Sequence, residues 1–386
     1  MSPDVLIVGA GIFGVTAALE LRARGADVTL IDPGPIPHPD ASSTDISKLI
    51  RLDYGDDVFY VERMEVCLAR WRAMNGRFER PLFHETGLLV LSSAPLEPNG
   101  FEGASFDCLV GRGHPVERLD ARGIVERAPA WRPGRYVDGY FNPQGGWAES
   151  GAVVGALAVE ARRAGVVVRE AVRIRPLVGA GPVTGVITEA GEVIAAGSIL
   201  IAAGAFTPVL VPELEDRLVP IAQAVFHFEP GVSADYLSPR FLPWGADIAT
   251  TGWYGFPQHE GVVKIANHGP GTRVDPAAER SVPPEREAPV RAFLRESLPG
   301  LAEARLVRTR ACLYCDTFDG DFFIDAHPQR PGLVVASGGS GHAFKFAPML
   351  GEIIADAVAG VGREGRERFG WRERAEGRGE AARSKT

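Results

Sequence analysis

The chain is poor in lysine. Of its 41 basic residues only four are lysine, namely Lys48, Lys264, Lys345 and Lys385, and arginine fills every other basic position. Arginine keeps its proton and spreads a planar fork, whereas lysine is a compact point charge whose pKa shifts readily. A lysine that survives this bias is a candidate for work arginine cannot do. Chance survival at an exposed position is the competing explanation, and it suits Lys385 near the end of the chain. Cysteine is scarce too. Cys67, Cys108, Cys312 and Cys315 are too few and too unevenly spaced for a disulfide framework, which points to a reducing cytoplasm. Cys67 is expected in a core. No apolar run reaches the roughly eighteen residues a membrane span needs, and the N-terminus runs straight into a first strand, leaving no room for a signal peptide. An excess of positive charge is also missing. The net charge is −8 and no basic stripe carries interleaved aromatics, so nothing points to nucleic acid and none is expected as a partner. No segment repeats internally.

What is present begins at the fourth residue. Asp4-Val5-Leu6-Ile7-Val8 reads as a short apolar strand, followed at once by Gly9-Ala10-Gly11-Ile12-Phe13-Gly14 and an amphipathic helix to about Arg24. A second strand, Val28-Thr29-Leu30-Ile31, ends in Asp32. Gly9 permits the tight turn, Gly11 lets backbone approach a pyrophosphate, and Gly14 lets the helix pack close to the strand. The helix start offers N–H groups and a positive dipole end to phosphates, and Asp32 stands where a carboxylate takes both ribose hydroxyls. A glycine-rich turn without ligand is the alternative, but strand, glycines, helix, strand and acid in this order specify a dinucleotide site.

With 386 residues, 45% hydrophobic and 23% charged, the chain can build one large or two moderate domains. Pro33 to Pro39 must be an extended excursion. Residues 57–74 read as a helix and 81–145 as strand- and loop-rich, with Gly87–Leu91 its clearest strand. Helical periodicity returns at 150–164, and new strands start at Val166–Arg169. A buried strand, Ser198–Gly204, ends in small residues, which suits either a second close approach to a cofactor or an ordinary tight turn. Residues 219–310 read as β-rich, interrupted by a helix near 285–298. The strand Leu333–Ser337 runs through Gly338-Gly339-Ser340-Gly341 into a helix carrying Met349, Ile353, Ile354 and Val358. From Gly362 onward arginine and glutamate alternate without an apolar stripe, which predicts a solvated, flexible tail over 362–386. The expected architecture is α/β with two interleaved domains. Residues 1–80, 146–210 and 321–361 form a Rossmann-like nucleotide-binding domain, and 81–145 and 211–320 form a β-rich substrate domain above it, with the ligand site between them.

The fingerprint, the Lys48–Tyr54 stretch and the segments Cys312-Leu313-Tyr314-Cys315-Asp316-Thr317-Phe318-Asp319, Phe323-Ile324-Asp325 and Ser340-Gly341-His342-Ala343-Phe344-Lys345-Phe346 resemble the sarcosine oxidase group of flavoprotein amine oxidases. That group lies within the D-amino acid oxidase-like superfamily, and the resemblance spans about residues 4–360. It implies FAD rather than NAD, joined through its 8α-methyl group to Cys312. Cys315 is the neighbouring decoy: a Cys-x-x-Cys metal site would lack a second pair, and no thioredoxin-like pattern surrounds a redox pair. The implied cofactor contacts are Gly9, Ala10, Gly11, Ile12, Phe13, Gly14, Asp32, Ser42, Ser43, Lys48, Val172, Ala203, Gly204, Cys312, Gly339, Ser340, Gly341, His342, Ala343, Phe344 and Lys345. No metal is implied.

The resemblance also assigns the lysines. Lys264 matches the oxygen-activating lysine, a cation that stabilises superoxide beside the flavin, and a half-exposed strand lysine is the competing reading. Lys345 and Arg51 match the pair that clamps the substrate carboxylate, one a point charge and one a fork. Lys48 stands where sarcosine oxidases place an arginine, keeping the charge and losing the fork. Tyr254, Tyr314 and His268 match cavity-lining residues, and His342 sits beside the clamp. For both histidines a structural role competes with a catalytic one. A helix starting near Lys345 is expected to aim its positive end at the flavin pyrimidine.

The implied reaction oxidises a small-molecule secondary amine that carries a carboxylate. A hydride equivalent passes from the carbon next to nitrogen to flavin N5, the imine hydrolyses, and dioxygen takes the electrons to give hydrogen peroxide. The segments Asp45–Arg51 and Gly139–Trp147 look closer to fructosyl amino acid and saccharopine oxidases, which implies room for an N-substituent larger than methyl. Two other readings stay open, an FAD dehydrogenase with a non-oxygen acceptor and a nucleotide-binding module without turnover. A monomer or weak homo-oligomer is expected, without a membrane partner.

Overall fold

The computed structural model describes residues 2–373. Its centre is a six-stranded sheet in the order Phe323–Ala326, Leu333–Ser337, Ser198–Ile201, Val5–Val8, Val28–Ile31, Val167–Arg169. All pairings are parallel except that of Phe323–Ala326, which runs antiparallel to Leu333–Ser337. Every residue of Val5–Val8 is buried, as a sheet covered on both faces requires. Alternation sorts these side chains: Val5 and Ile7 join the core beneath the helices Ile12–Ala23, Ser150–Arg163 and Ala347–Ala359, whereas Leu6 and Val8 join a second core with Val186, Ile194, Ile199 and Ile201.

A nine-stranded sheet takes its strands from residues 88–142 and 218–317, and its long pair, Leu218–Glu229 with Arg305–Thr317, is antiparallel. One face of this sheet is closed by Trp131, Trp244, Phe241 and the helix Glu287–Ser297. Val263 and Ile265 point into that core, so the period of two turns Lys264 and Ala266 to the opposite face. A three-stranded sheet, Lys48–Ile50, Gly146–Ala148 and Phe83–His84, abuts the region between the two larger sheets.

Two expectations need correction. The stretch 81–145 holds two helices, Phe101–Gly111 and Ala121–Arg127, besides its strands. The first contains Gly103, Ser105 and Asp107, poor helix formers, but tertiary contacts hold it: Glu102 accepts from the Ala249 N–H at 2.9 Å and Leu109 is fully buried. The second correction concerns the tail. Residues 362–365 are exposed as expected, but the segment 366–372 is docked rather than solvated. Phe369 is fully buried and stacks on Phe322 at 4.9 Å. Arg366 pairs with Asp325, Arg368 with Asp57 and Asp321, and Arg372 with Asp319. The alternating charges meet distant carboxylates that a local reading does not see. The remainder of the expected tail, 374–386, lies outside the described residues.

Candidate active site

The first cluster is the glycine fingerprint at the edge of the parallel sheet. A Cβ on Gly14 would lie 1.8 Å from the Gly9 carbonyl oxygen, and a Cβ on Gly9 would lie 2.5 Å from that of Ala202 and 3.1 Å from Ala203 Cα. Close packing of helix on strand therefore excludes any side chain at either position. Asp32 accepts from the Ala10 N–H at 2.8 Å and the Gly34 N–H at 3.0 Å, and burial pushes its carboxyl pKa up. Ser43 Oγ accepts from the Ile12 N–H at 3.2 Å, and the Val172 N–H binds the Asp32 carbonyl at 2.9 Å. Gly339 packs against Phe13 and Ala343, and the Ser340 N–H donates to the Cys315 carbonyl at 3.0 Å. Ser42 donates to the Leu313 carbonyl, and Gly204 opens the short turn after the strand Ser198–Ile201. A buried carboxylate held by two backbone amides, beside a side-chain-free turn and a helix start, fits the adenosine and pyrophosphate of a dinucleotide.

The second cluster is a cleft lined among others by Lys48, Arg51, Tyr254, Lys264, His268, Tyr314, Gly341, His342, Phe344 and Lys345. Tyr54 organises two of its cations. Lys345 Nζ donates to Tyr54 Oη at 2.8 Å and to the His342 carbonyl at 3.1 Å, and the Arg51 guanidinium lies 5.0 Å from the Tyr54 ring centroid. Tyr54 Oη also lies 3.0 Å from His342 Nδ1, and His342 Nε2 lies 2.9 Å from the Gly320 carbonyl. A carbonyl only accepts, so Nε2 carries the proton, Nδ1 is the acceptor, and the Tyr54 hydroxyl donates to it. Lys345 sits in the 3-10 turn Ala343–Phe346, two residues before the helix Ala347–Ala359. Its carbonyl is pinned by Trp71 Nε1 at 2.7 Å.

The cleft lining also carries a buried ion pair. Lys264, 2% exposed, places Nζ 2.6 Å from Asp45 Oδ2 and donates to the Ser47 carbonyl at 2.6 Å. Burial, joined by the charge of Lys48, lowers the ammonium pKa to about 8 against the opposing pull of Asp45. Burial alone would raise the Asp45 carboxyl, but Lys264, His227, Lys48 and Arg310 hold it well below the usual carboxylate range. Gly341, at φ +78°, sits where a Cβ would strike the Tyr314 ring at 2.5 Å and His268 at 2.8 Å, so the glycine loop closes directly onto these two residues.

The two cysteines of the long strand part company. Cys312 packs with Tyr314, Val225 and Ala266, beside Tyr254. Cys315 faces the other core and accepts from Ser337 Oγ at 3.3 Å. The candidate residues thus gather into a nucleotide cluster and a cleft, with Cys312 and the loop 339–345 adjoining the cleft. Sequence reading gave Asp45, Ser47 and Tyr54 no part in the site. Asp45 and Ser47 lie in a polar loop without local periodicity, whereas Tyr54 stands three residues from Arg51, close enough to have drawn notice.

A family model described as DAO, FAD dependent oxidoreductase, matches residues 4–357. Monomeric sarcosine oxidase of Bacillus sp. (strain B-0618) is 29% identical over 360 residues, 91% of each chain. N-methyl-L-tryptophan oxidase of Salmonella newport (strain SL254) is 31% identical over 372 residues, 93% of this chain and 95% of that one. Among solved structures, the deglycating fructosamine oxidase of Aspergillus fumigatus (Amadoriase II) superposes with a TM-score of 0.81 at 29% identity, covering 96% of this chain and 89% of that one. This chain belongs to the DAO family of FAD-dependent oxidoreductases.

Proposed function

We propose that this enzyme is an oxidase of secondary amino acids, with room for an N-substituent larger than methyl. The observation that carries the reading is the pairing of Arg51 and Lys345 around Tyr54 in the lining of a cleft that Lys264 also lines. Two buried cations around Tyr54 suit a carboxylate, held by a fork and by a point charge. The Tyr54–His342–Gly320 hydrogen-bond chain would fix the aim of Lys345, so His342 serves to position the clamp. Tyr254, Trp253, Leu49, Leu88 and Ile248 line the rest of the cleft and would hold the apolar parts of the substrate while excluding water. FAD, when bound, accepts a hydride equivalent from the carbon next to nitrogen and passes the electrons to dioxygen. Gly9–Gly14, Asp32, Ser43 and the loop 339–345 would hold it, with Cys312 as its covalent anchor. Lys264 would supply the cation that stabilises negative charge as oxygen is reduced.

The likeness of the segments Asp45–Arg51 and Gly139–Trp147 to fructosyl amino acid and saccharopine oxidases, together with the superposition on a fructosamine oxidase, supports room for an N-substituent larger than methyl, including a fructosyl group. The test is a panel of N-methyl, N-alkyl and N-fructosyl amino acids followed by peroxide release. Turnover of larger N-substituted members supports the reading, and activity confined to primary D-amino acids refutes it. Acid precipitation followed by mass spectrometry of the peptide containing residue 312 tests the anchor: flavin that stays in the supernatant removes it.

A further inference from the structure

Asp45 takes no part in the proposed reaction, yet it is as deeply buried as the lysine it touches. Its backbone is fixed. The Asp45 carbonyl accepts from Ser150 Oγ at 2.9 Å and the Gly151 N–H at 2.9 Å, both in the first turn of the helix Ser150–Arg163. Its side chain is fixed as well, with Oδ1 accepting from the Ile46 N–H at 2.8 Å and Oδ2 lying 2.6 Å from Lys264 Nζ. Lys264 arrives from another sheet, on the strand Val263–Asn267, opposite His227 in register. Its Nζ meets the 41–47 loop twice, as an ion pair with Asp45 Oδ2 at 2.6 Å and as a donor to the Ser47 carbonyl at 2.6 Å.

We propose that Asp45 is a positioning residue that holds the Lys264 ammonium in place on the cleft wall and keeps it protonated. The inference rests on the reading of Lys264 as the cation that assists oxygen reduction. An ammonium buried to this degree sheds its proton unless a counterion opposes the loss of hydration. The groups facing Lys264 are Asp45, Lys48 and Cys312, and those facing Asp45 are Lys264, His227, Lys48 and Arg310. Asp45 is the one carboxylate in this set. Lys48 opposes the charge on Lys264, so removing Asp45 leaves two ammonium groups in mutual repulsion with no anion between them.

The test uses the FAD-loaded full chain and separates the two half-reactions. In Asp45→Asn, the alkaline limb of reoxidation by dioxygen should move down by about one pH unit, so that reoxidation slows about tenfold above the limb of the parent. Anaerobic bleaching by substrate should keep its rate, and Asp45→Glu should restore the alkaline limb. A superimposable pH profile of reoxidation, or equal loss in both half-reactions, overturns the proposal. Lys264→Met separates the two ideas. Unchanged reoxidation in that variant sinks the role of Lys264 itself, whereas slowed reoxidation there with a normal Asp45→Asn enzyme sinks Asp45 alone. A second readout needs no turnover: urea unfolding of both single variants and the double Asp45→Asn/Lys264→Met. A double variant less destabilised than the sum of the singles supports the pair, and strict additivity overturns it.

Discussion

Tyr54→Phe removes one oxygen and leaves the shape of the clamp intact. In the parent, Tyr54 Oη accepts from Lys345 at 2.8 Å and donates to His342 Nδ1 at 3.0 Å, and all three residues are buried. The variant takes from Lys345 a hydrogen bond to a charged group, worth about 1.5–3 kcal/mol, and removes the hydroxyl that donates to His342 Nδ1. Lys345 keeps the His342 carbonyl at 3.1 Å, so the ammonium stays in the cleft but loses its aim. A carboxylate clamp acts alike on bound substrate and on the transition state, so the loss belongs in KM rather than kcat. Steady-state kinetics by peroxide release should show KM rising by about ten- to a hundredfold with kcat within about threefold. The aromatic stack of residue 54 on Tyr60 at 4.9 Å survives the change, so the protein should still fold and bind flavin. An unchanged KM, or a collapse of kcat at constant KM, would refute the assignment of Tyr54 and Lys345 to carboxylate binding.

Gly14→Ala places a methyl group 1.8 Å from the Gly9 carbonyl oxygen, which backbone cannot yield. Purified protein should contain little flavin by absorbance, and full flavin content would contradict the close helix–strand contact. Phe369→Ala empties a fully buried site packed on Phe322 and Phe59. Denaturant unfolding should show a loss of about 3–5 kcal/mol, and a loss below about 1 kcal/mol would mean that the segment 366–372 is not docked. Glu65 is pulled down to about 2 by its hydrogen bond from Arg112, with His114 adding to the effect. A carboxylate depressed in the folded state stabilises above its unfolded value, near 4.5, and that contribution is lost as pH falls through about 2. Glu65→Gln should therefore flatten the acid side of the stability profile between those values at low salt. The difference should shrink at high salt because the pair is exposed, and parallel acid profiles would refute it.

The parallel core and its ligand turn were legible because their rules are local. Val5–Val8, the three glycines and Asp32 act through spacing along one short segment, and the same spacing reappears as contact distances between Gly9, Gly14 and Ala202. Cys312 and Cys315, told apart in the sequence only by the resemblance, stand three apart on one strand and so face opposite cores. The misses share a different character. Asp45 acquires its place from Ser150 and Lys264, both far along the chain, and nothing in a loop of serine, threonine and aspartate forecasts which carboxylate will be buried. The segment 366–372 failed for the same reason in reverse. Its arginines read as a solvated run, while Asp57, Asp319, Asp321 and Asp325 wait elsewhere in the sequence.

The scarcity of lysine can now be weighed against space. Lys48, Lys264 and Lys345 all line one cleft, although the chain offers arginine everywhere else. At Lys264 the reason is geometric and electrostatic together. A compact ammonium fits between Asp45, the Ser47 carbonyl and the Phe256 ring, 4.8 Å away, where a planar fork would need more room and more acceptors. Its pKa of about 8 also lies within reach of physiological pH, a setting that a guanidinium does not allow. Lys345 shows the same economy of size, with its ammonium held between Tyr54 Oη and the His342 carbonyl inside one turn of chain. Arg51 marks the contrast: it spreads over the Tyr54 and Phe101 rings at 5.0 and 5.7 Å, a stacked setting that suits a flat cation. The division of labour between the two basic residue types therefore follows the shape of each pocket. Because arginine is the rule along the whole chain, the three lysines mark those pockets in the sequence itself.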